Sequence, residues 1–200
     1  RWLMVVPPVL FAGLAGLFYA GMYRDNPGEL MSVFVGHPAP ALPLTTLPGI
    51  PGLSDADLKT GKVTVVNCWA TWCPPGRAEH PVLKKMAADG VRVGGVNIMD
   101  DDAKAVEYLA EEGNPFIGVA TDPNGRNRVE WGVTAPPETF IVGGDGMVLF
   151  RFVGPLVGTD YEDRFVPELE KALAGKTGGK QSVQKNGGSN IDNLIAKYAN

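Results

Sequence analysis

The sequence predicts an α/β protein, a mixed central sheet flanked by helices and preceded by one N-terminal membrane helix. Three observations predict it. Residues 2–23 carry no charge and are bracketed by Arg1 and Arg24; about 20 apolar residues span a bilayer core. Apolar runs of strand length at 63–70 and 91–98 alternate with helix-like stretches, the pattern of parallel strands joined by helical crossovers. Late in the chain, Gly143-Gly144-Asp145-Gly146 marks a hairpin, which adds antiparallel strands.

Composition limits the function classes. With 200 residues, 44% of them hydrophobic and 20% charged, the chain can bury a core of one ordinary domain and has residues left over. Two cysteines are too few for a disulfide scaffold, and no Cys/His spacing suits zinc. Neither a metal nor a cofactor is expected. The net charge of −4 is unevenly placed: residues 175–200 carry +3, Arg1 and Arg24 add +2, and residues 25–174 hold −9. An acidic body is the wrong partner for nucleic acid.

Taken in order, residues 1–24 read as an uncleaved membrane anchor in preference to a cleaved signal, because a signal needs a shorter apolar run and a small-x-small cut site, for which Ala20-Gly21-Met22 is a poor match. Pro7 and Pro8 kink the span or lie near its start, and Trp2 and Tyr23 sit where interfacial aromatics belong. Arg1 favours an inside N-terminus and an outside body. Residues 36–53 are too proline-rich for a helix or a central strand and form an extended arm. A capped short helix at 54–58 leads to the buried strand at 63–70. The spacing then predicts a helix over 74–89 interrupted at Pro81, a strand over 91–98, a helix over 102–112 with an acidic first turn, and a short strand over 115–120. A turn at 122–125, hairpin strands at 139–142 and 147–153, and a helix over 160–174 close the body.

The domain therefore covers 25–174. Residues 175–189 are rich in Gly, Lys and Ser, a flexible linker. In 190–200, Ile191, Leu194, Ile195 and Tyr198 share one helical face. This amphipathic tail is a docking peptide or a disordered end; the residues leave both readings open.

The chemistry concentrates in Val66-Asn67-Cys68-Trp69-Ala70-Thr71-Trp72-Cys73-Pro74-Pro75-Gly76-Arg77-Ala78-Glu79-His80-Pro81. Cys73 falls where a buried strand ends and a helix begins, so its sulfur faces the unpaired N–H groups and positive dipole end of the helix, which favour thiolate. This segment resembles the active site of thioredoxin-like proteins, whose strand ends in W-x-x-W-C-x-x-C. Glu79-x-Pro81, Gly113-Asn114-Pro115-Phe116 and the run from Gly132 to Phe140 resemble the membrane-anchored thioredoxin-like reductases of cytochrome c biogenesis, closest to the DsbE/CcmG branch. The resemblance covers roughly residues 25–174.

The resemblance implies a thioredoxin-like fold and a periplasmic thiol:disulfide oxidoreductase, held in the bacterial inner membrane by a single span. It would reduce the disulfide of an apocytochrome c haem site, or of a cytochrome c maturation thiol protein, with electrons from a membrane thiol reductant. It implies Cys73 as nucleophile and Glu79 as the group beneath it that tunes ionisation or shuttles protons. Pro137 would be a cis-proline facing Cys73, beside which a substrate strand pairs. Trp72, Pro74 and Pro75 would form the docking rim, and Glu138 would shape an acidic groove.

One departure bears on the activity. The resemblance places a second cysteine at position 76, where the chain has Gly76, and a core hydrophobe at 68, where it has Cys68. A dithiol reductase releases product when its second thiol attacks the mixed disulfide made by the first, so Gly76 stops the reaction halfway. Cys68, five residues earlier in an extended strand, lies beyond the ~7 Å Cα limit of a disulfide and reads as an inert core thiol. Three readings remain: a reductase stalled by loss of its resolving cysteine, a non-catalytic module that binds apocytochrome or maturation partners, and a monothiol enzyme resolved by an external thiol.

Overall fold

The computed structural model describes residues 5–22, 34–43 and 45–175. The chain divides into two compact units, Arg1–Ser32 and Val33–Asn200. In the first, α1 runs Val6–Met22. Pro7 and Pro8 stand in its first turn, where a missing N–H costs nothing, so they mark its start and do not kink it. Side chains including Val9, Leu10, Phe11, Leu14, Leu17 and Phe18 are exposed. Among the described residues no helix is long and apolar enough to cross a membrane. Trp2 and Tyr23 lie outside the described residues, as do the linker and tail beyond Gly175.

The second unit is built on one six-stranded mixed sheet in the order β1-β4-β3-β2-β5-β6. Its strands are β1 (Thr45–Thr46), β2 (Thr64–Trp69), β3 (Arg92–Ile98), β4 (Val119–Asp122), β5 (Glu138–Val142) and β6 (Val148–Val153). The central pairs β2–β3 and β3–β4 are parallel, while β1–β4, β2–β5 and β5–β6 are antiparallel. Helices α2 (Pro74–Ala88) and α3 (Asp102–Glu112) make the crossovers that parallel neighbours require. The side-chain period of two splits β2 between the faces. Val65 and Trp69 join Leu83, Met86, Tyr108, Phe116 and Leu169 in one core. Val66 and Cys68 join Leu53, Ile98, Trp131 and Phe140 in the other.

Several boundaries differ from the sequence reading for identifiable reasons. The α2 helix passes through Pro81 without interruption. The proline removes one hydrogen bond to the carbonyl four residues earlier, but buried Glu79, His80, Leu83 and Met86 hold the helix on both sides of it. The strand expected at 115–120 begins only at Val119. Before it, Phe116 N–H donates to Asn114 Oδ1 at 2.9 Å, and Val119 N–H donates to Pro51 of the arm at 2.8 Å. A Cβ on Gly118 would meet the Gly52 carbonyl oxygen at 2.4 Å, so the arm crosses there only because position 118 is glycine. The turn at 122–125 continues into a short α4, Arg126–Glu130, because the Asp122 carboxylate accepts from Arg126 N–H at 3.0 Å and Arg128 N–H at 2.8 Å. The closing helix runs as α5 (Gly158–Asp160), a π turn (Tyr161–Phe165) and α6 (Val166–Leu173). The wide turn precedes Pro167, which has no N–H for a regular bond.

Candidate active site

Strand β2 ends at Trp69, and four residues later Cys73 is the N-cap of α2, with extended backbone at φ −97° and ψ 103°. Pro74 and Pro75 fill the first helical positions, where proline is preorganised and its absent N–H would go unused; both are exposed. Cys73 is 5% exposed, and its Sγ donates to the Pro136 carbonyl at 3.1 Å. The Pro136–Pro137 bond is cis. Thus α2 and the loop before β5 bring Cys73 and Pro137 together, although 64 positions separate them in the chain.

The loop before Cys73 is held by a group that the sequence reading missed. The Asp100 carboxylate accepts from Thr71 N–H at 2.6 Å, Thr71 Oγ1 at 2.7 Å and Asn97 Nδ2 at 2.9 Å. Trp72 stays 54% exposed because its indole Nε1 is tied to the Met99 carbonyl at 2.8 Å. Met99 is itself half exposed.

Glu79 lies in the second turn of α2 and is fully buried. Asn67 Nδ2 donates to its Oε1 at 2.7 Å and Leu156 N–H to its Oε2 at 2.7 Å; Asn67 Nδ2 also reaches Thr139 Oγ1 at 3.0 Å. Burial pushes the Glu79 carboxyl up to about 7, and the bonds from Leu156 and Asn67 pull against it. The neighbouring His80 is buried with Nε2 2.8 Å from the Gly113 carbonyl. That contact ties α2 to the end of α3, and burial holds the imidazole below its ordinary value.

Two residues stand elsewhere than a catalytic groove would need. Glu138 does not line a groove: it is fully buried and ion-paired with Arg151 at 2.6 Å. It pairs directly with Cys68 across β2–β5, so both side chains point to the sheet face away from Trp69. Cys68 is 2% exposed in that second core, where burial raises its thiol far above the ordinary range. It therefore cannot serve Cys73; both cysteines are free.

Position 76 has room for a side chain. A Cβ there would meet Cys73 Cβ at 3.7 Å, Cys73 Sγ at 3.8 Å and Pro137 Cβ at 3.9 Å, all ordinary contacts. Disulfides have Cβ–Cβ separations of about 3.5–4.5 Å. The backbone thus keeps the geometry of a cysteine pair and lacks the second sulfur.

Comparison with known proteins places this site in a class. Residues 34–173 match the Redoxin family, so the chain is a redoxin, with Cys73 at the start of α2. It is 49% identical over 172 residues to a thiol:disulfide interchange protein DsbE homolog of Paracoccus denitrificans, covering 86% of this chain and 96% of that one. It is 39% identical to the thiol:disulfide interchange protein HelX of Rhodobacter capsulatus, again over 86% and 96%. A crystal structure described as a thiol:disulfide interchange protein DsbE from Chlorobium tepidum superposes with a TM-score of 0.54 at 30% identity, covering 68% of this chain and 95% of that one. Within the redoxins, the chain belongs to the DsbE family of thiol:disulfide interchange proteins.

Proposed function

We propose that this chain is a thiol:disulfide interchange protein of cytochrome c maturation in which Cys73 alone carries the chemistry. The observation that supports this most is the pairing of a buried nucleophile, held against the Pro136 carbonyl at 3.1 Å, with a glycine at the resolving position. The Cys73 thiolate attacks one sulfur of a substrate disulfide. The substrate S–S bond breaks, a Cys73–substrate bond forms, and the other substrate sulfur leaves as a thiolate that takes up a proton. Glu79, with its carboxyl raised to about 7, is the group that can hold or surrender that proton near neutral pH. One disulfide has been exchanged for another. Reduction is complete only when a second thiol attacks Cys73, and Gly76 offers none, so the protein stalls as a covalent complex unless an external or membrane thiol reductant releases it.

The substrate class is the disulfide of an apocytochrome c haem site or of a maturation thiol protein. Trp72, Pro74 and Pro75 form the rim on which it docks, with Pro137 beside the reacting sulfur. An extracytoplasmic setting suits this chemistry, since such disulfides form where the compartment is oxidising. The uncharged run at 2–23 supports an anchor in the bacterial inner membrane with the body, residues 25–174, in the periplasm. A linker at 175–189 and a short tail at 190–200 follow.

The test is capture. Full-length reduced protein is incubated with a Cys-x-x-Cys-His peptide disulfide and the products are separated by mass. The expected result is a stable adduct on Cys73 that is absent from Cys73→Ser. No adduct in the unaltered protein would overturn the covalent reading and leave a non-catalytic binding module as the account of the fold.

A further inference from the structure

Beyond the residues expected to act, the loop from Gly132 to Pro137 is pinned from beneath by a buried ion pair. Arg151 of β6 and Glu138 of β5 bond through Nε at 2.8 Å and Nη2 at 2.6 Å, with side-chain exposures of 14% and 0%. The pair uses its remaining capacity on the loop. Arg151 Nη2 donates to the Gly132 carbonyl at 2.8 Å, and Glu138 Oε1 accepts from Thr134 N–H at 2.8 Å. On the far side, Gly154 N–H holds the Pro137 carbonyl at 3.1 Å. Between these fixed points stands the Pro136 carbonyl, the acceptor of the Cys73 thiol.

A buried pair is weak evidence for stability, because well-packed hydrophobic residues of similar volume often serve as well or better. What hydrophobic residues could not do is hold a carbonyl and an amide of one loop at the same time. We propose that Arg151 and Glu138 are positioning residues for the interchange reaction: they fix the 132–137 loop so that the Pro136 carbonyl faces Cys73 and the loop backbone is presented to an incoming peptide. Neither touches the reacting sulfur, and Glu138 points to the opposite face of the sheet. They act through the loop. The inference rests on Cys73 being the capturing thiol, as proposed above.

The experiment compares full-length unaltered protein with the double substitution Glu138→Leu/Arg151→Met, which removes both charges together and so leaves no unpaired one. Capture of a Cys-x-x-Cys-His peptide disulfide and reaction with a small aromatic disulfide, which needs no docking loop, are followed side by side. The expected result is a tenfold or greater loss of peptide capture with the small-disulfide rate within threefold of the unaltered protein. Should the double variant not fold, Arg151→Lys keeps Glu138 paired but forgoes the forked reach to Gly132, and an intermediate loss of peptide capture is expected. Unchanged peptide capture in a folded variant, or an equal loss in both reactions, would overturn the positioning role. Failure of the unaltered protein to capture peptide would instead refute the reading on which it rests.

Discussion

Replacing Glu79 by Gln tests whether this buried carboxyl holds its proton up to neutral pH. The buried carboxyl is raised from its ordinary value of 4.5 to about 7, chiefly by burial. An acid that holds its proton more tightly when folded contributes stability that is fully present below about pH 4.5 and is lost as pH rises through about 7. At about 1.4 kcal/mol per pH unit, ionising Glu79 in place costs about 3 kcal/mol. Gln carries no such charge. It accepts only one of the two bonds that Asn67 Nδ2 and Leu156 N–H now donate, a loss of about 1 kcal/mol. Turning the Asn67 amide recovers part of that, since Asn67 Oδ1 has no hydrogen-bond partner among the described residues. The variant should therefore be about 2 kcal/mol more stable than the unaltered protein at pH 8 and equal or slightly less stable at pH 4.5. Urea unfolding of both proteins in the same detergent at the two pH values reads the difference. Parallel stability curves would refute the reasoning, because Glu79 would then be titrating in the fold as it does in the unfolded chain.

Cys68→Ser should leave capture through Cys73 intact while lowering stability by about 1–3 kcal/mol, the cost of a hydroxyl with no partner in a buried site; mass analysis and urea unfolding check the two halves. Gly76→Ala should raise stability by up to about 1 kcal/mol, since the added Cβ meets nothing closer than 3.7 Å, and should leave capture stoichiometric with no turnover.

The parts of the fold that sequence alone reveals are those with strong local signals. The apolar run of β2, the Asp101–Glu112 stretch whose cap bond from Lys104 N–H closes at 3.0 Å, and the Gly143–Gly146 turn all state their structure within a few residues. Cys73 is legible for the same reason, as a strand–helix junction is a local pattern. What stays hidden is set by distant partners. Two-residue β1 exists only because Thr45 and Thr46 meet Thr121 and Ala120, and α4 only because the Asp122 carboxylate turns onto its first amides. Glu138, beside Pro137 in the chain, reads as part of a groove; alternation in β5 and the cation on β6 instead carry it beneath the sheet. Asp100 and Arg151 hold site loops that are 29 and 19 positions away, a separation at which no spacing rule applies. Pro81 misleads in the other direction, because tertiary packing of α2 outweighs one lost hydrogen bond.

The central claim is that the site is a complete interchange site lacking one sulfur. Its most direct test is Gly76→Cys, which restores a cysteine whose Cβ would stand 3.7 Å from that of Cys73, inside the disulfide range. Single turnover of a Cys-x-x-Cys-His peptide disulfide by each protein, reduced beforehand and freed of added thiol, is followed by mass. The account predicts a persistent Cys73 adduct in the unaltered chain and, in the variant, its release as reduced peptide with a disulfide left between Cys73 and the introduced cysteine. A correctly folded variant that captures peptide yet never releases it would contradict the claim.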